Sequence, residues 1–528
     1  MIIVRNIKVG LNSDFTDLKS LVEHVLKVSL PKNATVTLYK KGIDARHRDA
    51  VHFNCAFLIK SADESTLLRR LKRYNPEPFS ERKYVWQTGL KQNKRPVVVG
   101  FGPAGMFAAL SLARAGLCPV VLERGKDADR RKKDVETFWN GGNLDENSNV
   151  QFGEGGAGTF SDGKLNTGIK DARIREVLRV FAAHGAGERI LYDAKPHIGT
   201  DVLIEVVKSI RREIISLGGE VLFGHKVVGF ESKGGRLCGV NVCAPDGDRF
   251  FEADYCVLAV GHSARDTFEE VKAKGLKMEP KPFAVGARIE HLQADINRSQ
   301  YGKFAEHPSL GSADYKLACH LENGRGVFTF CMCPGGVVVN ASSEQGRIAV
   351  NGMSYSKRDG VNSNAALLVG VIVEDYFKGD VLDGMYFQRE IEEKAFLEGK
   401  GRAVSQRVGD FLGLKSDFNP VTPTVKPVAT FGNIDNVLPT FVTEAMREGI
   451  VLLDRKLKGF ANPNAVLTVP ETRSSSPVRI LRSKNGESSL KGLYPCGEGA
   501  GYAGGITSAA VDGLRLAELI INTLSLKT

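Results

Sequence analysis

A glycine pattern that can bind a pyrophosphate begins at residue 100. Gly100-x-Gly102-x-x-Gly105 follows an apolar run at residues 96–99 and precedes a predicted helix over residues 106–115. Gly100 permits a sharp turn, Gly102 lets backbone amides approach phosphates, and Gly105 allows close packing of helix on strand. A second predicted strand ends at Glu123, which is placed to accept hydrogen bonds from an adenosine ribose. Together these features predict a dinucleotide site that either NAD or FAD would fit.

Two further glycine clusters could bind the same ligand. Residues 151–165 read QFGEGGAGTFSDGKL, and such successive small residues let amides point at a phosphate, although a surface loop is the alternative. Residues 492–513 predict a strand that ends at the carboxylate of Glu498, then a glycine-rich loop and a helix. Exposed amides at Gly505, Ile506 and Thr507, with the positive end of the helix dipole, would stabilise an anion such as a reduced flavin.

These segments resemble those of the glutathione-reductase-like flavoproteins. The chain as a whole resembles a family of uncharacterised bacterial-type FAD-dependent dehydrogenases, with further matching motifs at residues 261–267, 281–291, 329–336, 351–355 and 471–479. The resemblance extends over essentially the whole chain. It implies an FAD-dependent oxidoreductase, a hydride transfer between flavin N5 and a small organic substrate, and no particular substrate.

The motifs and the resemblance imply a set of FAD contacts. They are Gly100, Gly102, Pro103, Ala104, Gly105, Glu123, Arg124, Gly156, Ala157, Gly158, Thr159, Lys164, Val227, Ala259, Gly261, Gly497, Glu498, Gly504, Gly505 and Ile506. Residues 254–261 resemble the strand that returns beneath the adenine half of FAD in that superfamily. No second strand-Gly-x-Gly-x-x-Gly unit for a nicotinamide cofactor is identified, because the glycines at 497, 499 and 501 are assigned to the C-terminal FAD motif. NAD(P)H would therefore dock only transiently as a reductant, or electrons would come from another carrier or from the substrate.

The candidates for catalysis are Arg288, Cys333 and Arg358. Arg288 and Glu290 fall on one face of a predicted strand, where Arg288 would hold an anionic substrate group or form a structural ion pair. Cys331 and Cys333 fall on the same face of an extended segment; buried structural cysteines, a thiol at the flavin and a metal or disulfide site are the competing interpretations. Arg358 could bind a carboxylate or phosphate bidentately, or be a surface arginine. No metal site is predicted.

The predicted fold class is α/β with three parts. A Rossmann-like FAD-binding domain, with a βαβ unit and a three-layer ββα arrangement, covers residues 93–274 and 432–528. An inserted α+β substrate cap domain covers residues 275–431, and residues 1–92 form a ferredoxin-like α+β domain with the order β-α-β-β-α, whose first helix has Asp14 as N-cap. The apolar run at residues 365–373 is too short to span a membrane and is interpreted as a buried helix.

Charge distribution indicates what else the N-terminal domain could bind. Residues 1–95 hold 19 Lys and Arg against 9 Asp and Glu, so they carry nearly all of the net charge of +11. An acidic redox protein or nucleic acid is therefore an alternative partner beside the small-molecule substrate, and a solvated basic surface is the simpler interpretation. Nine scattered cysteines and the lack of a secretory signal or apolar span predict a cytoplasmic protein with reduced thiols and no membrane contact.

Overall fold

The computed structural model describes residues 1–81, 83–91, 93–414 and 420–526. Residues 92 and 528, at which two of the predicted domains end, lie outside the described residues. In the part of the chain that the structure describes, no helix is long and apolar enough to cross a membrane.

The N-terminal unit is an antiparallel sheet packed against two helices. Its elements are β1 (Ile2–Val9), α1 (Leu18–Leu26), β2 (Thr35–Asp44), β3 (His52–Lys60), α2 (Glu64–Arg70) and β4 (Glu77–Pro78). The strands lie in the order β2-β3-β1-β4, and apolar residues of both helices share one buried core with them. The N-cap of α1 is Asp17, whose carboxylate accepts from the amides of Lys19 and Ser20. The prediction of Asp14 as this cap is wrong, because Asp14 instead binds Thr16 in the preceding turn.

Residues 97–273 and 478–525, which include the predicted cofactor site, are called the cofactor-site half. It begins with alternating strands and helices. Its elements are β5 (Val97–Val99), α3 (Pro103–Arg114), β6 (Val120–Glu123), α4 (Ala128–Trp139), α5 (Arg173–Phe181), α6 (Thr200–Ser216), β7 (Glu220–Phe223), β8 (Lys226–Lys233), β9 (Arg236–Ala244), β10 (Gly247–Glu252), β11 (Cys256–Leu258) and α7 (Arg265–Ala273). Strands β8, β9 and β10 form a separate antiparallel sheet. The main chain of Lys41 in β2 exchanges two hydrogen bonds with Tyr192 and Ala194, so the edge of the N-terminal sheet is joined to this half.

The inserted region, residues 278–471, contains the largest sheet of the described residues. Its elements are β12 (Met278–Pro280), β13 (Phe283–Leu292), α8 (Gln293–Tyr301), β14 (Ala318–His320), β15 (Gly326–Cys333), β16 (Val337–Asn340), β17 (Val350–Met353), β18 (Asn362–Val371), α9 (Asp383–Glu398), β19 (Val404–Arg407), α10 (Val408–Leu412), β20 (Thr430–Phe431), α11 (Thr440–Asp454) and β21 (Val466–Glu471). Seven of these strands form one sheet in the order β14-β15-β18-β13-β21-β19-β20.

One prediction about this region is wrong, and one predicted domain boundary lies within its sheet. The apolar run at residues 365–373 lies largely in β18, a strand buried between β15 and β13, and not in a helix. A short continuous apolar run suits a strand that is covered on both faces. The predicted boundary at residue 431 separates β20 from β21, although both strands pair with β19 in the same sheet.

The chain then returns to the cofactor-site half through β22 (Val478–Ile480), β23 (Leu493–Pro495) and α12 (Ile506–Ser525). The central sheet has the order β23-β11-β5-β6-β7 with all strands parallel. Val98, Val121 and Val257 face a core made with α3, α6 and α12. Val99 and Leu122 face the meander β8 to β10. This half therefore has three layers, with the carboxyl ends of its parallel strands directed at one edge.

Candidate functional site

One large cavity lies at the carboxyl ends of β5, β6, β11 and β23, beneath the inserted region. This central cavity is partly open to solvent, and the space between its walls, including the open solvent, is about 1490 Å³. All three glycine-rich segments identified in the sequence contribute residues to its walls.

The first glycine segment forms one wall of the central cavity. Gly100 has φ +92°, and a Cβ there would lie 2.5 Å from the carbonyl oxygen of Ala259. A Cβ on Gly105 would lie 1.9 Å from the carbonyl oxygen of Gly100, so neither position accepts a larger residue. Gly102 is the N-cap of α3 and lines the cavity with Pro103 and Ala104, whereas Gly105 is turned towards the strand. Free amides at this helix start suit a phosphate group.

Glu123, at the end of β6, holds three loops together at the cavity wall. Its Oε2 accepts from the amide of Phe101 at 2.7 Å, and its Oε1 accepts from Gly125 and Gly153, both at 2.9 Å. A carboxylate has spare lone pairs for a ligand hydroxyl, and Glu123 lines the cavity. The neighbouring Arg124 also lines the cavity, with its guanidinium paired to Asp266 at 2.7 Å.

The second glycine segment lies directly beside the first in the cavity wall. A Cβ on Gly156, which has φ +61°, would lie 2.9 Å from the Cα of Gly102. Ala157, Gly158 and Lys164 line the cavity beside it. Thr159 does not, because its hydroxyl donates to the carbonyl of Glu154 and the side chain is buried. The two glycine turns thus leave a narrow slot bounded by backbone atoms.

A buried arginine that sequence reasoning missed fixes this second segment. Arg131 of α4 is fully buried and donates to the carbonyls of Asn149, Val150 and Glu154 at 2.7 to 2.9 Å. Because the neighbouring residues of α4 are mostly charged, the sequence does not indicate that this side chain is buried and binds three carbonyls.

The third glycine segment closes the cavity at the start of α12. Gly505 is the N-cap of α12, and a Cβ there would meet no atom within 4 Å, so it would project into open space. Ile506 and Glu498 line the cavity as well. Gly497 does not line it, because its α-carbon packs against Ala104. Gly504 is likewise absent from the wall, whereas Val227, Ala259 and Gly261 are part of it.

Glu498 and His262 lie side by side because they follow the adjacent parallel strands β23 and β11. The Nδ1 of His262 is 3.6 Å from the Oε1 of Glu498. Burial raises the pKa of Glu498 to about 7, against the opposing effects of the Gly505 amide and Lys281. Burial, together with Arg473 and Arg265, lowers the pKa of His262 to about 3. The imidazole is therefore neutral and supplies no counter-charge to the carboxyl.

Arg288, predicted to bind a substrate anion, does not line the central cavity. It is fully buried, and its donors reach Glu471 at 2.8 Å, the carbonyl of Cys331 at 2.9 Å and the side chain of Asn351 at 2.6 Å. These contacts leave the guanidinium no open side towards a ligand. The prediction of a direct substrate contact is therefore wrong, and the structural ion pair, formed with Glu471 and not Glu290, is the correct alternative.

Arg358 is also outside the cavity wall. It is paired with Asp162, to which its Nε donates at 2.9 Å. Asp162 binds Lys164 as well, at 2.9 Å. Burial favours the neutral form of Asp162, but the two cations outweigh it and lower the pKa of this carboxyl. Arg358 thus contacts an acid of the wall and does not line the cavity itself, and its binding of a carboxylate or phosphate stays a prediction.

Cys331 and Cys333 both line the central cavity, but their relation differs from the prediction. A bulge between Phe330 and Cys333 breaks the alternation of β15, and Cys331 has φ +40°. Cys331 is exposed, whereas Cys333 is buried and its thiol donates to the carbonyl of Cys331 at 3.2 Å. The prediction of one shared face is therefore wrong. Burial raises the pKa of Cys333, which keeps the thiol protonated and weakly nucleophilic.

A buried ionic cluster supports the cavity wall near His262. Glu392 of α9 accepts from Arg265 at 2.8 Å and from Arg473 at 2.9 Å, and Glu344 pairs with the same Arg265. Arg473 lines the central cavity, and each of its three nitrogen atoms donates one hydrogen bond to Glu392 or Ser343. Sequence reasoning missed this cluster because its members are far apart in the chain.

Comparison with known proteins gives two matches in sequence. Residues 282–474 match the family model described as "FAD-dependent protein, C-terminal domain-like". An uncharacterized protein of Clostridium beijerinckii is 46% identical over 532 residues, which cover 99% of this chain and 99% of the relative. The family match confirms the prediction of an FAD-dependent enzyme.

Comparison with solved structures gives low similarity. A triple mutant of the flavin-dependent brominase Bmp2 has a TM-score of 0.39 and 13% identity, covering 81% of this chain and 80% of that one. A geranylgeranyl bacteriochlorophyll reductase-like protein from Thermoplasma acidophilum has a TM-score of 0.36 and 12% identity, covering 82% and 79%. These scores are too low to assign a reaction or a substrate.

Proposed function

Because this chain belongs to the same family as the Clostridium beijerinckii protein and carries the FAD-dependent domain, we propose that it is a flavoenzyme that oxidises or reduces a small organic molecule. One observation carries the proposal most strongly: three glycine-rich segments, far apart in the chain, form the walls of one central cavity. Flexible surface loops would have no reason to converge in this way.

The walls of the central cavity fit the parts of FAD. Gly102 and the segment Gly156 to Gly158 would hold the pyrophosphate with backbone amides, and Pro103 would pack beside it. Glu123, Arg124 and Val227 would surround the adenosine. Gly505 and Ile506 would face the flavin, because the glycine there leaves open space at a helix start.

When bound, FAD would exchange a hydride at N5 with the substrate. The chain's own residues would bind and orient both molecules, and the inserted region would cover one side of the cavity with Phe330, Cys331 and Asn351. Amides at the start of α12 favour negative charge on the ligand that they face. NAD(P)H would serve as a reductant that binds only transiently.

The domains that go with this function are a Rossmann-like FAD-binding domain, a substrate cap domain and a ferredoxin-like N-terminal domain. The parallel sheet under the cavity supports the first, and the strand order β2-β3-β1-β4 supports the last. The cap is better bounded near residue 474 than at residue 431, because β21 completes its sheet and the family match ends there.

The test is the flavin content of a wall variant and its control. Gly102→Val places two methyl groups in the slot beside Gly156, and we expect the purified protein to lose its yellow colour and to take up no added FAD. Gly168→Val is the control, because Gly168 is exposed, with open space around its α-carbon and an ordinary φ. Flavin bound at wild-type stoichiometry in Gly102→Val would refute the proposed cofactor site.

The same preparation tests the reductant. Anaerobic mixing of the FAD-loaded wild type with NADH or NADPH should bleach the flavin with one of them. A flavin that stays oxidised with both would exclude a nicotinamide as the direct donor.

A further inference from the structure

The inserted region contributes an end of the central cavity where a positive charge is left over. Lys164 lines this end, and Asp162 pairs with both Lys164 and Arg358. Two cations thus share one carboxylate. Among the described ion pairs, neither cation has a second acidic partner. A low-polarity cavity beside one uncompensated positive charge favours an anion.

Lys164 also has a donor to spare. Its ammonium group carries three N–H bonds. One reaches Asp162 at 2.9 Å and another reaches the carbonyl of Met332. No hydrogen bond from Lys164 to any other described residue takes the third. Because about a quarter of the side chain is exposed and it lines the cavity, this donor is available to a ligand.

A second donor lies beside the same short stretch of β15. Arg288 donates to the carbonyl of Cys331, next to the Met332 carbonyl that Lys164 binds, and also to the Oδ1 of Asn351. The amide of Gly352 donates to that Oδ1 too, at 2.7 Å. Since a guanidinium only donates, it fixes which end of the Asn351 amide is oxygen. The nitrogen end is left for the cavity that Asn351 lines.

We propose that the substrate is a small organic acid whose carboxylate is bound at this end by Lys164 and Asn351. The proposal rests on the flavoenzyme function proposed above and adds the chemical class of the substrate. A carboxylate has two oxygens, which match the two donors, and its charge balances the excess cation. Arg288 acts as a positioning residue that orients Asn351, and Asp162 holds the lysine in place.

The test uses the FAD-loaded protein and two pairs of probes: acetate with acetamide, and benzoate with benzamide. Binding is measured by calorimetry and by the change in flavin absorption. We expect saturable binding of at least one carboxylate and none of its amide. Lys164→Met should weaken carboxylate binding by about tenfold or more, as the loss of a charge-assisted hydrogen bond does.

Two further variants keep the outcome decisive. Lys357→Met removes an exposed lysine next to Arg358 and should leave carboxylate binding unchanged. Asn351→Asp puts a negative charge at the second donor and should weaken binding too, so it decides the matter if Lys164→Met loses its flavin. Equal binding of acid and amide, no carboxylate binding to the yellow wild type, or unchanged affinity in the two wall variants would overturn the inference. A wild type that binds no FAD would instead refute the proposed function.

Discussion

Glu498 lies where its protonated form is favoured. The neighbouring imidazole of His262 is neutral, and Lys281 is the cation that lowers the pKa of Glu498. Burial dominates and sets the pKa at about 7, well above the ordinary 4.5 of a glutamic acid. Without cofactor, the folded protein therefore holds a proton at this site over a pH range in which the unfolded chain has lost it.

This difference predicts a pH-dependent stability of the apoprotein. Because the pKa is raised on folding, the contribution of Glu498 is fully favourable below about pH 4.5 and is lost as the pH rises towards 7. Glu498→Gln removes the titration, so its melting temperature should exceed that of the wild type at pH 8 by more than it does at pH 5. Thermal unfolding of the two apoproteins across this range measures the gap.

The control for this prediction is an exposed glutamate. Glu393→Gln changes the same functional group on the surface of α9. Its effect on the melting temperature should not depend on pH in this way. A wild-type and Glu498→Gln gap that is constant from pH 5 to pH 8 would show that the buried carboxyl is ionised throughout.

The local sequence predicts the backbone conformation of the glycine turns better than it predicts which groups a side chain binds. The need for Gly100 and Gly105 follows from a short pattern, because each glycine meets a neighbour that the turn itself supplies. The partners of Arg288 did not follow, since Glu471 and Asn351 come from distant strands. Which donors a cation uses is set by tertiary contacts, and a single sequence does not contain them.

At the scale of elements, α9 connects the inserted region to the cofactor-site half through one carboxylate. Glu392 is fully buried and binds Arg265, at the start of α7, and Arg473, just after β21. Burial raises the pKa of Glu392, but the two arginines outweigh it and lower the pKa of this carboxyl. Both guanidinium groups are nearly inaccessible to water. Neither would find another buried anion of equal geometry.

Removing that carboxylate should therefore be costly. Glu392→Ala leaves two buried cations short of a partner, and breaking a buried pair in this way costs about 3 to 5 kcal/mol. We expect a large fall in the free energy of unfolding in urea. Glu393→Ala, one residue further along the same helix and exposed, should change it by no more than about 0.5 kcal/mol. Similar losses in both variants would mean that helix propensity, and not the ionic cluster, is responsible.

The sequence predicts whether an element is a helix or a strand where the apolar residues show a clear period. The prediction fails where an element is buried on two sides, because no period is then visible. The strands β5 and β6 and the helix α3 follow from an apolar run, a glycine turn and another apolar run. Strand β18 was mistaken for a helix because a strand between two neighbours shows no alternation. The bulge in β15 was invisible, since no glycine or proline between Phe330 and Cys333 announces it.

At the scale of the whole molecule, the charge is unequally divided. The N-terminal unit carries most of the net charge of +11, and basic residues of α2 and the following turn are exposed. A concentrated positive surface attracts polyanions in a salt-sensitive way. The alternative partner predicted from the sequence, an acidic protein or a nucleic acid, would bind this unit and not the central cavity.

Removing lysines and arginines from two different surfaces tests whether polyanions bind the N-terminal unit specifically or respond only to the total positive charge. Replacing Lys8, Arg69 and Lys72 by Ala should lower the salt concentration at which the protein elutes from heparin. Replacing Lys233, Lys274 and Lys484, which are also exposed, should have a clearly smaller effect. Equal shifts for the two triple variants would argue against a dedicated N-terminal binding surface. Flavin content should stay the same in both.

The interruption of the parallel sheet by the inserted region has a consequence for biosynthesis. Strand β23 pairs with β11, and α12 lies so close to α3 that a Cβ on Gly513 would be 2.1 Å from the carbonyl oxygen of Ala104. While the ribosome is still translating residues 275–474, the nascent polypeptide exposes the apolar side of α3 that α12 later covers. Pairing between segments so far apart in the chain slows folding and leaves apolar surface exposed in the meantime. We therefore expect chaperones to bind the nascent chain most strongly before translation reaches residue 493.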